Sequence, residues 1–359
     1  MILELEKIQK TSSFFCLSLI LLYRKSVILL MIITKSTLAL MISFLLSIFL
    51  GILLIPVLKK WKASQSLNEY LKDAHRNKKG TPTMGGIIFV LSSIITLFFL
   101  YFFKKIEINQ NVVILLITFL GYFFIGFLDD FLIILKHNNK GLSENAKLIL
   151  QIIISIIFFY LFMKAGNEPL LWIHSLHIKW DIGFFYGFFI LFILVATSNA
   201  VNLTDGLDGL ATGLCIIAYF AMGIITLGAD WLLGYETISL FCFIIVGSLL
   251  GFLFFNASPA KVFMGDTGSL ALGGLLGALS IITRHELLLA VLGIVFVIET
   301  LSVILQRLYY KKTKKRLFPM TPLHHSFEKK GFSERDIVKI FWVIGLIGAF
   351  FSIIYGVWL

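Results

Sequence analysis

The 359-residue chain is 58% hydrophobic and only 14% charged, and it contains 36 phenylalanines. A soluble domain would carry roughly 45–50% apolar and about 25% charged residues, so a water-soluble globular protein is excluded and an all-α polytopic membrane protein is expected. The net charge of +11 would suit nucleic acid, but in a membrane protein excess Lys and Arg record loop orientation, and no nucleic-acid partner is expected.

In chain order, the first apolar stretch, 14–34, is interrupted by Arg24 and Lys25. Each half falls well short of the ~20 residues that a spanning helix needs. Residues 1–36 therefore read as an interfacial or re-entrant N-terminal segment, with a full span as the alternative. No small-residue cleavage site follows the apolar run, so a signal peptide is not indicated. Ten better segments follow, near 37–58, 85–103, 112–130, 148–164, 183–201, 208–228, 237–255, 268–282, 287–309 and 337–358. Together, 37–359 read as one integral-membrane domain with about ten transmembrane helices. Gly247, Gly251, Gly273, Gly274 and Gly277 lie inside these segments and mark close helix packing. Cys16, Cys215 and Cys242 have no ligand or disulfide spacing and read as small buried hydrophobes.

Alternate loops, with their flanks, hold 21 of the 31 Lys and Arg, whereas the opposite loops hold five. The basic side is thus assigned to the cytoplasm. The polar motifs fall on that same side. Asp129 and Asp130 end the third span. Asn199, Asn202, Asp205, Gly206, Leu207 and Asp208 join the fifth and sixth. Asn256, Phe263 and Asp266 join the seventh and eighth. His324 and His325 precede the last span, and Lys78 and Thr83 precede the second.

Two adjacent carboxylates at the end of an apolar segment are costly unless a cation sits beside them. Taken alone, the pair would pass as a solvated helix end. The other cytoplasmic acids come with Gly, Asn and Thr, which let backbone approach a ligand. Mg²⁺ prefers oxygen ligands and is commonly shared between carboxylates and substrate phosphates. With Lys78, Lys147, His324 and His325 as groups suited to anionic oxygens, the inventory points to phosphoryl chemistry at the membrane surface. Glu299 lies inside the ninth span, either as a functional acid or as the partner of a neighbouring helix.

Five runs carry a resemblance: Thr-Pro-Thr-Met-Gly-Gly at 81–86, Gly-Phe-Leu-Asp-Asp at 126–130, Asn-Leu-Thr-Asp-Gly-Leu-Asp-Gly at 202–209, Phe-Asn-Ala-Ser-Pro-Ala at 255–260 with Val-Phe-Met-Gly-Asp-Thr-Gly at 262–268, and Pro-Leu-His-His at 322–325. From about residue 36 onward the chain resembles the polyprenyl-phosphate N-acetylhexosamine-1-phosphate transferases, and among them the phospho-N-acetylmuramoyl-pentapeptide transferases. The resemblance implies a cytoplasm-facing active-site cleft. It also implies transfer of phospho-MurNAc-pentapeptide from UDP-MurNAc-pentapeptide to undecaprenyl phosphate, giving lipid I and UMP with Mg²⁺. Asp266 is implied as a metal ligand, with Asp129 and Asp130 as catalytic carboxylates and Asp129 also near the metal. Asn199 belongs to the substrate-binding set. Asn202, Asp205, Gly206, Leu207, Asp208 and Phe263 would surround the nucleoside. Lys78, Thr83, Lys147, Asn256, His324 and His325 would line the pyrophosphate and sugar side. Membrane lipids are expected partners, and a homodimer stays open.

The chain departs from the family pattern twice. Ile133 stands where a lysine of the nucleotide site is usual, and Ser326 replaces a third histidine, keeping hydrogen bonding but losing a possible positive charge. The alternatives left by the sequence are a UDP-GlcNAc transferase for another surface polymer, a weakened homologue, and a transporter. Transporters place ionisable groups near the bilayer midplane, whereas these lie at helix ends.

Overall fold

The computed structural model describes residues 2–61, 80–136, 141–173, 178–229 and 231–358, with side chains described from Leu30 to Val357. Lys78 lies outside the described residues, as does the side chain of Cys16. The described helices are α1 (Ile2–Lys60), α2 (Gly86–Phe102), α3 (Gln110–Lys136), α4 (Glu144–Lys164), α5 (Phe185–Thr204), α6 (Leu210–Leu227), α7 (Tyr235–Asn256), α8 (Gly265–Ile282), α9 (Leu288–Leu292), α10 (Ile294–Thr313), α11 (Leu323–Lys329) and α12 (Glu334–Trp358). Among the described residues, eight of these helices are long and apolar enough to cross a membrane. Helix α2 falls just short at 17 residues, and the segment expected at 287–309 is divided at Gly293 into α9 and α10. The backbone runs without a break from 2 to 60, so the N-terminal stretch is continuous with the first long helix.

Helix α8 is the hub. It packs against α3 and α5, while α7 packs against α1 and α6. Small residues allow this. A Cβ at Gly247 or Gly251 of α7 would collide with the α1 backbone at Leu40 or Phe44, and one at Gly273 of α8 would collide with the α5 backbone at Thr197. Between membrane helices, close backbone approach of this kind replaces the hydrophobic drive available in water. Cys215 and Cys242 are buried free thiols, as small hydrophobes would be.

The sequence reading contained no strands, yet the structure has a short hairpin. β1 (Leu170–Ile173) pairs antiparallel with β2 (Ile178–Asp181), and Lys179 lies 4.3 Å over the Trp172 ring. Two four-residue strands carry too little periodicity to be distinguished from a polar loop. Arg284 ties the hairpin down by donating to the carbonyls of Leu170 (3.0 Å) and Glu168 (2.7 Å), and its Nη1 also donates to Tyr186 (3.2 Å).

Tyr186 donates in turn to the buried Glu286 carboxyl, which lies in the connection between α8 and α9. Burial pushes the Glu286 carboxyl up to about 7. A native pKa above the unfolded value means that the folded chain holds the proton more tightly. This contribution is complete below the unfolded pKa and is lost as pH rises toward 7. Thermal unfolding of the purified chain should therefore show a Tm component that falls between pH 5 and 7. Glu286→Gln should remove that component, and an unchanged slope would reject the assignment.

Candidate active site

The acidic centre is built at the junction of α2, α3 and α8. Gly126, Asp129 and Asp130 occupy positions i, i+3 and i+4 of α3 and so share one face. Gly126 has no side chain because a Cβ there would run into the carbonyl of Asp266. A Cβ at Gly86 would likewise strike the Gly268 backbone. These contacts set α3 against the first turn of α8, where unpaired N–H groups and the helix dipole favour carboxylates. Asp130 uses that opportunity: its Oδ2 accepts from the Thr267 N–H at 2.9 Å and from the Thr267 hydroxyl at 2.6 Å. Gly265, with φ at +73°, turns the chain into α8. A Cβ there would collide with the Asp130 carboxylate and approach the Thr83 hydroxyl.

One carboxylate oxygen from each of Asp129, Asp130 and Asp266 lies within 4.8 Å of the others. Asp129 accepts from the Leu142 N–H at 2.8 Å. Asp266 accepts from Asn202 at 2.7 Å, and Asn202 also donates to Ser269 at 2.9 Å. Lys147 is the cation of the group, 2.6 Å from Asp266 and 3.3 Å from Asp129. It is placed by Ser143, which caps α4 by accepting from the Ala146 N–H. One ammonium against three carboxylates leaves a net negative centre. Asp130 Oδ1 is moreover buried with no hydrogen-bond partner among the described residues. Three convergent carboxylates and an unsatisfied buried oxygen fit a hard divalent cation such as Mg²⁺. The sequence reading expected metal ligation by Asp266 and Asp129; in the structure Asp130 lies in the same carboxylate cluster. Ile133, half-buried on the same face of α3, leaves that face without the family's usual lysine.

The remaining motif residues frame this centre. Backbone bonds join 82–86 to 263–264: Phe263 N–H to the Pro82 carbonyl (2.8 Å), Gly85 N–H to Phe263 (2.9 Å) and Gly86 N–H to Met264 (2.9 Å). Thr83 is buried beside Gly265, and its hydroxyl has no partner among the described residues. Asn256 is fully engaged within the fold, accepting from the Thr212 hydroxyl and donating to the Val262 carbonyl. Asp208 accepts from the Ala260 N–H at 3.0 Å, while its own N–H donates to Glu334 at 2.7 Å. Half-buried Asp205 and exposed Gly206 follow the end of α5, and Leu207 is buried. Asn199 does not reach the carboxylates; it donates to Gln151 at 3.1 Å and ties α5 to α4.

The histidines arrive on α11. His324 is buried with its ring packed against Gly206, where a Cβ would overlap Nε2. Glu299 of α10 accepts from the His324 N–H at 3.1 Å, and the His324 ring Nδ1 lies 3.3 Å from the same carboxylate oxygen. Glu299 is thus the partner of a neighbouring helix, and it positions a candidate site residue. Glu299→Gln should lower stability by about 1–2 kcal/mol through loss of a charge-assisted bond, read from chemical denaturation; an unchanged midpoint would rule this out. His325 contacts Glu328 at 2.6 Å. Ser326 donates to the Met320 carbonyl and accepts from its N–H, closing the loop before α11 in a way an imidazole would not reproduce.

Sequence reasoning missed Thr267, Glu334 and Gln151. Thr267 stood within the run at 262–268 and was legible there as a candidate to hold a carboxylate. Glu334 and Gln151 carried no local signal.

Comparison with known proteins gives two family matches. The Glycosyl transferase family 4 pattern matches residues 112–284, and Phospho-N-acetylmuramoyl-pentapeptide-transferase signature 1 matches residues 78–90. The chain is similar to a phospho-N-acetylmuramoyl-pentapeptide-transferase of Geobacillus thermodenitrificans, 46% identical over 321 residues, covering 89% of this chain and 98% of the relative. Relatives with the same description come from Oceanobacillus iheyensis (43% over 320 residues; 89% and 97% covered) and Bacillus thuringiensis (44% over 318 residues; 89% and 97%).

Proposed function

The chain belongs to the phospho-N-acetylmuramoyl-pentapeptide-transferase family and makes lipid I in peptidoglycan biosynthesis, and from that premise we propose that Asp129, Asp130, Asp266 and Lys147 form its catalytic centre. The observation that carries this reading is the meeting of three carboxylates at a helix junction, two of them paired with one ammonium.

Asp129, Asp130 and Asp266 would hold Mg²⁺, which supplies Lewis-acid neutralisation of the pyrophosphate oxygens. Thr267 fixes the Asp130 carboxylate and Asn202 fixes that of Asp266, so these groups need little reorganisation during reaction. Lys147, partly exposed between Asp129 and Asp266, is the cation that meets substrate phosphate oxygens. Thr83, with a buried unpartnered hydroxyl, donates to the same oxygens. The loops carrying Asp205, Gly206, Asp208 and Phe263 hold the nucleoside, and His324 and His325 face the sugar phosphate.

An oxygen of undecaprenyl phosphate attacks the sugar-linked phosphorus of UDP-MurNAc-pentapeptide. The new P–O bond forms as the bond to UMP breaks. A phosphate monoester has a second pKa near 6, so this nucleophile is largely ionised at neutral pH, and Asp129 takes any remaining proton. The protein acts mainly by positioning and charge stabilisation. The centre opens to the cytoplasm, in keeping with the basic loops at its end of the helices.

The test is incubation of purified protein with the UDP donor, undecaprenyl phosphate and Mg²⁺, following lipid product and UMP. Product should require both substrates and be abolished by EDTA. A phospho-enzyme trapped with the UDP donor alone would overturn direct transfer in favour of an aspartyl-phosphate path, and turnover unaffected by EDTA would overturn the metal assignment.

A further inference from the structure

At the end of the helix bundle opposite the acidic centre lies a cavity of about 450 Å³ that the transferase reaction does not use. Helix α2 links the two regions: Gly86 packs into the catalytic junction, and Phe102 lies about 24 Å further along the axis. That span is close to the thickness of a bilayer's hydrocarbon core, about 30 Å. The cavity is bounded by the outer part of α1, the α2–α3 connection and the start of α7, with Ile32 and Leu240 as its apolar wall.

Its charges are unusual for this face. The loops there hold few lysines and arginines, yet Lys104 and Lys105 both line this cavity, joined by Lys35 from α1. Glu107 and Glu236 line it too. All five side chains are exposed. Among the described residues, none of the three ammonium groups has a carboxylate within ion-pair distance. Opposite charges share one cavity without meeting, which leaves room for a ligand offering both an anion and hydrogen-bond donors. The floor is meanwhile held in place: Asn109 donates to the Leu233 carbonyl (2.8 Å) and accepts from the Val112 N–H (2.9 Å), and Thr237 donates to the Glu107 carbonyl (3.0 Å).

Lys104 supplies a second, independent sign. It ends α2 in the left-handed conformation, φ +53°. Its N–H bonds to the Tyr101 carbonyl and that of Lys105 to the Leu100 carbonyl, each at 2.9 Å. This pattern places Lys104 where glycine is usual and a side chain is strained. The negative end of the α2 dipole would be served by Lys105 alone, so the helix end does not explain the lysine at 104. The neighbouring surface is apolar: Met31, Ile33 and Leu38 of α1 are exposed, as are Phe99, Tyr101 and Phe102 of α2. Exposed aromatics at a helix end are typical of the bilayer interface.

We infer that this cavity binds the headgroup of an anionic glycerophospholipid of the outer leaflet. Its phosphodiester sits among Lys35, Lys104 and Lys105, headgroup hydroxyls donate to Glu107 and Glu236, and its acyl chains run along α1 and α2. The net positive lining selects an anionic over a zwitterionic phospholipid, and the two glutamates select a headgroup with hydroxyl donors, such as phosphatidylglycerol.

The test uses the full chain in lipid-depleted detergent, titrated separately with phosphatidylglycerol, phosphatidylethanolamine and inorganic phosphate, and read by native mass spectrometry and thermal unfolding. Phosphatidylglycerol should bind most tightly and raise Tm. The combined variant Lys35→Ala, Lys104→Gly, Lys105→Ala should bind it roughly a hundredfold more weakly, at about 1 kcal/mol per interfacial lysine, while keeping transferase activity in detergent. Lys104→Gly alone relieves the strained position, so it should fold at least as well and bind about fivefold more weakly. Equal binding by wild type and both variants would overturn the site. Equal response to phosphatidylethanolamine would overturn the headgroup assignment, and inorganic phosphate reproducing the full shift would overturn the lipid.

Discussion

Asp266→Asn should reduce lipid I formation by about 10³-fold or more, since losing one group that stabilises transition-state charge alone is worth about 10²–10³. The substitution keeps shape and leaves an amide within reach of Asn202, so the helix junction should survive. It removes one of three converging carboxylates and leaves Lys147 with Asp129 alone. The metal concentration giving half-maximal rate should therefore rise along with the loss of kcat. Turnover and metal dependence are measured together on protein whose Tm is checked first. Wild-type activity would remove Asp266 from the centre, and a rate loss with unchanged metal dependence would leave it catalytic but not a ligand.

Gly126→Ala should have nearly as large an effect without touching a charged group. Its new methyl would overlap the Asp266 carbonyl, a backbone atom at the first turn of α8 that has no rotamer by which to escape. Helices α3 and α8 must then separate, moving Asp129 and Asp130 away from Asp266. A displacement near 1 Å costs about 10²-fold in rate, and overpacking a tight junction costs about 1–3 kcal/mol in stability. Gly277→Ala is the control on α8, because a methyl there meets only side-chain atoms, the closest 3.3 Å away. Activity assays and denaturation of both variants read the difference. Equal tolerance of the two would mean that the junction is not rigid.

Most of the candidate site residues could be picked from the sequence because motif residues are consecutive, and both hydropathy and loop charge are local. Asp205, Asp208 and Asp266 stand at helix ends, whereas Asp129 and Asp130 close the apolar run of α3 but lie within the helix, which continues to Lys136. What the sequence left undetermined depends on contacts distant in the chain. Asn199 sits in a motif yet faces Gln151 of α4, and nothing local to residue 199 specifies which helix will lie against it. Glu299 had two readings because an intramembrane acid alone does not say what it faces; the answer is His324, 25 positions away. The hairpin at 170–181 was invisible because its hold on the bundle comes from Arg284, more than a hundred residues later.

Composition alone was sufficient for the membrane class, since no chain this apolar can cover its surface in water, and the uneven lysines and arginines led to the expectation that all the polar motifs share one side. The family likeness then attached a reaction to that side. Which oxygens remain unsatisfied, and therefore where a cation belongs, was decided by folding. Asp130 joins the acidic cluster because α3 crosses α8 at Gly126, so Thr267 bonds one carboxylate oxygen while the other has no partner among the described residues. Lys147 offsets part of the negative charge because α4 starts where its ammonium reaches both Asp129 and Asp266. Helix crossings are set by small residues meeting across long sequence separations, and a pattern read along one chain does not contain those meetings.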